Sequence, residues 1–433
     1  MKRFLIFFPV AALFLTAACG RVPAGQGDPR IAAALAEVCT DSLRLYVDEL
    51  VAFGTRHTLS TQSDPARGVG AAMTFLAERC QRWADEAPAG RPRPEVERIS
   101  YTVGQNGGRY DRIAEVPELM VTLPGSRAER EILLLAHVDT RVVDVMDSTS
   151  FAPGADDDGS GVACLLEVVR ILSRIPLDQT VKCLFVSGEE QGLDGSRHFA
   201  RLAREQGWPV LAVLSNDMIG NTRASGTELR EDRRVRVFSE SPSGEDSPSR
   251  QLARYIQELA RIYVPEQEVV LNYRSDRYRR GGDQLYFQRE GFTAVRVCEY
   301  CEDYERTHQD VLTRDGVAYG DLPSYMDFPY LTRNVRVNLA AVMNLALAPA
   351  TPENAVIANA GELDNNTILT WDEVPGAASY QILYRETDRS QWDILATVVG
   401  NGTFSCPLSK DNYYFAVRAV SPGGHPGLPA FAR

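Results

Sequence analysis

Short apolar runs alternate with amphipathic stretches along most of the chain. Apolar residues from Val162 to Leu172 recur at the i, i+3, i+4 and i+7 positions of a helix. Other runs of four to six residues are mostly apolar, as in strands buried on both faces: Leu119–Leu123, Ile132–Ala136, Val181–Val186, Val210–Leu214, Val235–Phe238 and Thr293–Val297. This alternation predicts an α/β domain with a mostly parallel mixed sheet flanked by helices.

The pattern changes after a helical stretch from Tyr325 to Ala348, which is followed by Pro349 and Pro352. Beyond the prolines, apolar and polar positions alternate in short runs separated by turn residues, as in Thr367–Trp371, Tyr380–Tyr384 and Tyr413–Val420. Such alternation indicates a small all-β sandwich. We therefore predict a linker over residues 20–30, the α/β domain over residues 31–349 and a β domain over residues 352–433.

The first residues have the features of an export signal. Lys2 and Arg3 precede the apolar run Phe4–Leu15, which is too short to span a bilayer stably. The following Thr16–Gly20 resembles a bacterial lipobox, in which Cys19 becomes the lipidated first residue; ordinary cleavage beside an incidental cysteine is the alternative. We predict a lipoprotein-type signal peptide over residues 1–19. The protein would then lie in the periplasm or on the cell surface as an outer-membrane lipoprotein, attached to the membrane through Cys19 alone.

Composition limits the possible partners and redox chemistry. The 433 residues are 44% hydrophobic, which is sufficient for two domains with separate cores. The 46 basic and 58 acidic residues give a net charge of −12, which disfavours nucleic acid as a partner. Outside the cytoplasm, Cys39 with Cys80 and Cys298 with Cys301 could form disulfides, although sequence does not fix the pairing.

Five segments place acids or histidines beside predicted strands or at the start of a helix. Side chains that follow the carboxyl ends of neighbouring strands converge on one cleft. The candidate residues are His137 and Asp139 in the first segment, Asp156, Asp157 and Asp158 in the second, Glu189 and Glu190 in the third, Asp217 in the fourth and His308 in the fifth.

Each segment alone has an ordinary explanation. A histidine that ends a strand is often simply packed, and a helix N-terminus favours one or two acids but does not require three. Three adjacent carboxylates repel each other, and a cation relieves that repulsion. Of two adjacent glutamates after a strand, one can ligate a metal while its neighbour takes a proton from the attacking water, although a solvated acidic loop is the ordinary alternative.

Taken together, the order and local sequence of these segments resemble the M28 family of zinc metallopeptidases over residues 31–348. The resemblance implies an aminopeptidase that holds two zinc ions per chain and hydrolyses the N-terminal bond of peptides. It implies one ligand shared by both ions and two more for each: Asp157 as the bridge, His137 and Asp217 at one ion, and Glu190 and His308 at the other. Glu189 would be the general base, and Asp139 would orient His137.

Two further stretches, Phe53–Thr58 and Arg280–Phe287, also resemble the family, and the second is usually part of the cleft wall. Family members often have histidine where Gln284 stands, which affects the expected substrate pocket rather than the metals. Tyr300 or Tyr304 could donate to the oxyanion, or both could be packing residues.

Other features concern substrate binding and the rival functions. Glu299, Glu302 and Asp303 could hold a cationic α-amine, or they could be surface acids. The β domain, with Trp371 and its tyrosines, resembles a fibronectin type III module. The alternatives to an aminopeptidase are a single-zinc glutaminyl cyclase-like transferase, a carboxypeptidase or dipeptidase variant, and a non-catalytic binding lipoprotein.

Overall fold

The computed structural model describes residues 27–105, 109–127, 129–242, 246–400 and 402–433. The predicted signal peptide and Cys19 therefore lie outside the described residues and stay predictions. Within the described ranges, no helix has the length and apolar character needed to cross a membrane.

An eight-stranded mixed sheet forms the centre of the larger domain. Its strands, in chain order, are β1 (Glu95–Val103), β2 (Ala114–Leu123), β3 (Glu131–His137), β4 (Thr180–Val186), β5 (Val210–Asn216), β6 (Arg234–Ser239), β7 (Glu268–Asn272) and β8 (Ala294–Glu299). They lie in the order β1-β2-β4-β3-β5-β8-β6-β7. Strands β4, β3, β5 and β8 are parallel to one another, as are β6 and β7, whereas β1, β2 and the β8–β6 pair are antiparallel. The predicted mixed, mostly parallel sheet is confirmed.

In the described residues, eight α-helices surround this sheet. They are α1 (Pro29–Ala36), α2 (Thr40–Ala52), α3 (Gly68–Asp85), α4 (Gly159–Leu172), α5 (Asp194–Gln206), α6 (Pro248–Tyr263), α7 (Gln284–Arg289) and α8 (Phe328–Leu347). Alternate strand residues point to opposite faces, so Leu134 joins the core formed with α1–α4, α6 and α8, while Leu133 and Leu135 join the core with α5 and α7. The sheet is thereby covered on both sides.

Local chemistry explains where the decisive helices begin. Asp158 caps α4 by accepting a hydrogen bond from the Gly161 backbone nitrogen. Asp327 caps α8 by accepting from the Tyr330 nitrogen, so the closing helix begins at Phe328, and the preceding Pro323–Tyr325 forms a 3-10 turn. Helix α4 is also more buried than its predicted amphipathic stripe indicates, because α2 and α8 cover the side opposite the sheet.

The carboxyl-terminal residues form two small antiparallel sheets. Their strands are β11 (Val356–Ile357), β12 (Thr367–Thr370), β13 (Ser379–Glu386), β14 (Asp393–Val398), β15 (Thr403–Cys406), β16 (Tyr413–Val420) and β17 (Ala430–Phe431), which follow a short hairpin, β9 (Thr313–Arg314) and β10 (Val317–Ala318). The sheets have the orders β11-β12-β15 and β14-β13-β16-β17, and Trp371 packs against Tyr380 in the core between them. The resemblance to a fibronectin type III module stays a prediction.

This β domain is fastened along α6 by polar contacts. The Tyr255 hydroxyl donates to the Pro426 carbonyl at 2.9 Å, and Arg418 forms a two-pronged ion pair with Glu258 at 2.6 and 2.8 Å. Leu428 also reaches the main hydrophobic core of the larger domain. The two domains therefore share an interface that is both apolar and charged.

The suggested disulfides are wrong for the described residues, in which all seven cysteines are free thiols. Cys80 faces the hydrophobic core from α3, whereas Cys39 is exposed at the start of α2. Cys298 packs against Met218 and Phe238 from β8, and Cys301 follows after the strand has ended. Cys80 and Cys298 therefore contribute to the packing of the elements that carry them.

Candidate metal centre

The five predicted metal donors converge at the carboxyl end of the central parallel strands. His137 is the last residue of β3, and Asp217 directly follows β5. Glu190 lies in the turn after β4, Asp157 precedes α4, and His308 lies in the loop after β8. Because these strands are parallel neighbours in the sheet, their ends meet at one edge, as the positions of the donors in the sequence predict.

The carboxylate of Asp157 lies between two groups of donors. Its Oδ1 is 3.1 Å from His137 Nε2, and its Oδ2 is 2.9 Å from His308 Nε2. Asp217 Oδ1 is 4.0 Å from His137 Nε2, and Glu190 Oε1 is 2.9 Å from His308 Nε2. The donors thus form two clusters of three that share Asp157, with the ligand atoms of each cluster within 4.8 Å of one another.

The electrostatic field at this position favours a cation. Burial acts to lower the pKa of His308, but the Glu190 and Asp157 carboxylates outweigh it and raise that pKa to about 10. The pKa of His137 is likewise raised against the effect of burial, by Asp139 and Asp157. Imidazole nitrogen and carboxylate oxygen are ligands that zinc accepts readily. The residues present therefore fit a pair of zinc ions.

Asp139 contacts both sides of the centre. His137 Nδ1 lies 3.0 Å from the Asp139 backbone carbonyl and 3.6 Å from its carboxylate, so the main-chain oxygen is the nearer partner of the ring. The carboxylate accepts hydrogen bonds from the backbone nitrogens of Glu189 and Glu190 at 3.3 and 3.1 Å and from the Thr58 hydroxyl at 3.0 Å. Asp139 thus holds the paired glutamates as well as the histidine.

The other two acids of the triple carboxylate turn bind the backbone. Asp158 accepts from the nitrogens of His137 and Met218, at 3.1 and 3.2 Å, in addition to capping α4. Asp156 accepts from the Gly220 nitrogen at 2.8 Å. One acid of the three thus belongs to the donor clusters, and its two neighbours fix the strand ends around it.

Two buried residues support the donors and were not predicted from sequence. The carboxylate of Asp321 accepts from the backbone nitrogens of Asp156 and Asp157 at 2.8 to 3.0 Å. Arg296 is fully buried in β8 and contacts Asp217 Oδ1 at 2.9 Å and Asp276 Oδ2 at 3.3 Å. An aspartate in a loop and an arginine in a strand have no distinctive spacing, so only the folded chain reveals these roles.

Gln284 belongs to the same support and does not form the cleft wall. Its side chain is fully buried and donates to Asp276 Oδ2 at 2.7 Å and to the Ser275 carbonyl at 2.9 Å. The expected effect of this residue on the substrate pocket is therefore indirect, through Asp276 and Arg296.

The three acids considered for binding an α-amine have other partners. The Glu299 carboxylate accepts from the Asn221 backbone and side-chain nitrogens at 2.8 and 3.1 Å. Glu302 is paired with Arg236 and Arg280 at 2.7 and 2.6 Å and has a third arginine nearby. In the third acid, Asp303, the carboxylate accepts from a backbone nitrogen two residues further on. All three are buried, and none lines the cleft that contains the donors.

Neither tyrosine considered for the oxyanion lines the cleft. The Tyr300 hydroxyl is 3.2 Å from Arg234 Nη1, and Tyr304 is largely exposed beside Arg280. Packing against arginine side chains, rather than donation to substrate, accounts for both residues.

Arg56, in the Phe53–Thr58 segment, links three parts of the centre. Its guanidinium is completely buried and donates to the carbonyls of Val138, Pro153 and Gly154 at 2.7 to 2.8 Å. These carbonyls belong to the turn after β3 and to the turn that carries the three aspartates. The Phe53–Thr58 segment therefore fixes the turn that follows His137 and the turn that carries Asp157.

The Arg56→Met substitution is expected to lower the free energy of unfolding by about 2 kcal/mol or more. Methionine fills much of the space but leaves the Val138 and Pro153 carbonyls without their donor, and each such loss costs about 1–3 kcal/mol, whereas the Gly154 carbonyl keeps the Gly159 backbone nitrogen as a donor. Urea denaturation measures the effect, with Arg201→Met, on the exposed face of α5, as the matched control. Equal stabilities of the two variants would contradict this role of Arg56.

The donors lie in a cleft with a volume of about 390 Å³. Asp157, Glu190, Asp217 and His308 line it, together with Glu189, which is half-buried. Burial raises the pKa of Glu189 well above its usual value, and the Glu190 carboxylate acts in the same direction. The cleft therefore presents four of the five donors and the Glu189 carboxyl group to a molecule that enters it.

Comparison with known proteins gives a consistent result. Residues 118–318, which contain all seven predicted site residues, match the model for peptidase family M28. A probable zinc metalloprotease of Pyricularia oryzae is 39% identical over 423 residues, which cover 92% of this chain and 83% of that protein.

Two solved structures share the fold. The LapA aminopeptidase of Legionella pneumophila is 22% identical, with 73% of this chain and 75% of that one covered and a TM-score of 0.54. The glutaminyl cyclase of Porphyromonas gingivalis is 19% identical, with 70% of this chain and 97% of that one covered and a TM-score of 0.51. Aminopeptidases and cyclases therefore both occur on this scaffold.

Proposed function

The chain belongs to peptidase family M28, and from that premise we propose that it is a di-zinc aminopeptidase, which removes N-terminal residues from peptides. The observation that carries the proposal is the pair of donor clusters that share Asp157. A single-ion site needs one such cluster, and a second, equally complete one beside it is the arrangement expected for two ions. His137 and Asp217 would complete one site, and Glu190 and His308 the other.

Zinc ions held in this way would supply Lewis acidity, which polarises a carbonyl group and lowers the pKa of a water molecule. The chain itself provides the proton transfers. Glu189 lines the cleft next to Glu190 and would take a proton from the attacking water as the new C–O bond forms. The same carboxyl would return that proton to the leaving nitrogen as the peptide C–N bond breaks.

Asp139 would set the geometry for this transfer. By accepting from the backbone nitrogens of Glu189 and Glu190, it holds the turn from which both side chains extend. A base must lie within hydrogen-bond distance of the proton that it removes, so a fixed turn contributes directly to rate. The role of Asp139 is thus positioning of the base as well as of His137.

The proposal includes a location outside the cytoplasm, since the first 19 residues have the pattern of a lipoprotein signal. The substrates would be peptides met in the periplasm or at the cell surface, and lipid on Cys19 would be the attachment to the membrane. Labelling with radioactive palmitate tests the lipid, and Cys19→Ser is the matched variant that should lose the label.

Glutaminyl cyclisation is the second candidate, because a glutaminyl cyclase shares this fold. The complete second cluster of Asp157, Glu190 and His308 argues against a single-zinc transferase. Metal content separates the two functions: two zinc ions per chain support the peptidase. One zinc ion per chain, together with formation of pyroglutamate from an N-terminal glutamine peptide, would favour the cyclase.

N-terminal acetylation of the substrate is expected to abolish hydrolysis, because an aminopeptidase recognises the free α-amine. Paired peptides that differ only in the acetyl group, incubated with the zinc-loaded protein and followed by mass spectrometry, measure the effect. A chelator and zinc add-back provide the control. Cleavage of the acetylated peptide would favour the carboxypeptidase variant, and no cleavage of either peptide by the zinc-loaded protein would favour a binding protein.

A further inference from the structure

The cleft around the donors is lined by five arginines: Arg109, Arg141, Arg277, Arg279 and Arg280. We propose that this arginine wall makes the enzyme selective for peptides that carry a carboxylate close to the scissile bond. The inference rests on the proposed peptidase function and names its substrate class. The carboxylate could belong to an acidic side chain or to the free C-terminus of a very short peptide, since both present the same two oxygens.

Both donor clusters are bordered by the wall. Arg141 Nε is 3.2 Å from Glu190 Oε2, and Arg109 donates to the Glu190 backbone carbonyl, so these two arginines lie beside the cluster with His308. Arg277 Nη1 is 3.7 Å from the sulfur of Met218, the residue after Asp217. A substrate bound across both clusters would therefore have a guanidinium group within reach on either side.

Part of the wall is already neutralised by the protein. Glu302 pairs with Arg277 and Arg280 at 3.2 and 2.6 Å, and Asp276 contacts Arg277 at 3.1 Å. These two carboxylates lie behind the wall, because neither lines the cleft. Glu302 and Asp276 therefore fix Arg277 and Arg280, and the other arginines of the wall are available to anions that enter the cleft.

Arg109 and Arg279 are the two arginines of the wall whose charge is not neutralised by a carboxylate of the described residues. Both are exposed, and neither forms an ion pair with a carboxylate of the described residues. The Arg279 guanidinium lies over the Tyr278 ring, 5.6 Å from its centroid. A planar guanidinium with free N–H groups matches a carboxylate with two parallel hydrogen bonds, which gives selectivity as well as attraction.

The charge balance of the cleft favours this interpretation over an ordinary solvated surface. The four carboxylates in the cleft are Asp157, Glu189, Glu190 and Asp217. Two divalent ions would balance them, and the arginines would then give the loaded cleft a positive potential. The whole chain carries a net charge of −12, so five arginines around one cleft run against its overall composition. A cleft of one sign of charge concentrates ligands of the opposite sign.

Isosteric substrate pairs test the selectivity. Glu-p-nitroanilide against Gln-p-nitroanilide places the charge before the scissile bond, and Ala-Glu-amide against Ala-Gln-amide places it after. Ala-Ala against Ala-Ala-amide tests a free C-terminus. With the zinc-loaded protein, we expect the charged member of at least one pair to have a kcat/KM about tenfold higher or more, and we expect that ratio to fall as salt is added.

Arg279→Gln is the matched variant, because it removes the charge from an exposed side chain with little change of length. We expect it to lower the preferred ratio severalfold, because the charged member loses a partner that the neutral member does not have. Arg201→Gln, on the exposed face of α5, is the control and should leave the ratio unchanged. Arg109→Gln provides a second, independent test of the wall.

Calorimetry gives a readout that does not depend on turnover. Zinc-loaded Glu189→Gln should bind the charged member of at least one pair more tightly than the neutral one, and the additional Arg279→Gln change should reduce that difference. If all neutral substrates are cleaved as well as the charged ones, the selectivity is overturned while the peptidase proposal stands. If no substrate is cleaved, the peptidase proposal fails, and the binding difference alone supports or overturns the arginine wall.

Discussion

Glu189→Gln is expected to lower kcat by about 10²–10⁴-fold while the protein keeps its zinc. The amide has nearly the shape of the carboxyl but cannot take a proton from water, so the proposed base is removed with little change of packing. Glu189 belongs to neither donor cluster, and its neighbour Glu190 stays in place. Steady-state kinetics with an aminoacyl chromogenic substrate and elemental analysis of the purified variant measure the two quantities.

Glu205→Gln is the matched control for this variant, since Glu205 is exposed on α5 and lies outside the cleft. It should retain both turnover and zinc. Normal turnover in Glu189→Gln would remove Glu189 as the base. Loss of zinc together with turnover would indicate instead that Glu189 helps to hold the ions.

Asp157→Asn is expected to abolish measurable activity and to lower zinc affinity by more than about 100-fold, a larger loss than the 10–100-fold typical of residues behind the ligands. Its carboxylate offers one oxygen to each cluster, so a single change weakens both. An amide carries no negative charge, and its nitrogen does not ligate zinc. Titration with a zinc-binding dye, followed by elemental analysis, measures the affinity and the number of ions.

Asp48→Asn serves as the control, because Asp48 is an exposed residue of α2. It should bind two zinc ions and hydrolyse substrate normally. If Asp157→Asn keeps two ions and full activity, the shared aspartate is not a ligand. Retention of one tightly bound ion would place the two sites apart and contradict a bridging role.

The sequence predicts the central sheet well because its middle strands are buried on both faces. A strand such as β4, in which every residue is buried, is mostly apolar apart from Thr180 and Lys182, and this makes it visible in the sequence. The edge strands β1 and β7 are partly exposed and carry mixed residues, so no comparable pattern marks them. The antiparallel position of β1 and β2 also depends on packing between distant segments.

The metal donors could be located in the sequence because several of them lie at or directly after the end of a predicted strand. His137 and Asp217 each come at the end of an apolar run, and parallel strands bring such ends together. The pairing of acids with partners could not be predicted in the same way. Glu302 reads as a free acid in the sequence, yet it is surrounded by arginines from β6 and from the loop before α7.

The arginine wall could not be predicted from the sequence either, because it also depends on contacts between distant segments. Arg109, Arg141 and Arg279 come from three separate loops, and a loop arginine in a chain rich in charged residues has no pattern that distinguishes it. Only the closure of those loops over the same cleft makes their charges act together. The proposed substrate selectivity therefore depends on tertiary structure, whereas the order of the donor segments is already present in the primary sequence.

The interface along α6 has a consequence for anyone who wishes to produce the catalytic half alone. Asp246 is buried between Arg254, at 2.7 Å, and Arg385 of the β domain. Truncation of the chain near residue 350 would remove Arg385 from Asp246 and Arg418 from Glu258. It would also expose the apolar residues of the larger domain against which Leu428 packs. Without the β domain, the larger domain would expose charged and apolar residues that are buried in the whole chain. The β domain is therefore an integral part of the fold and not a separable module.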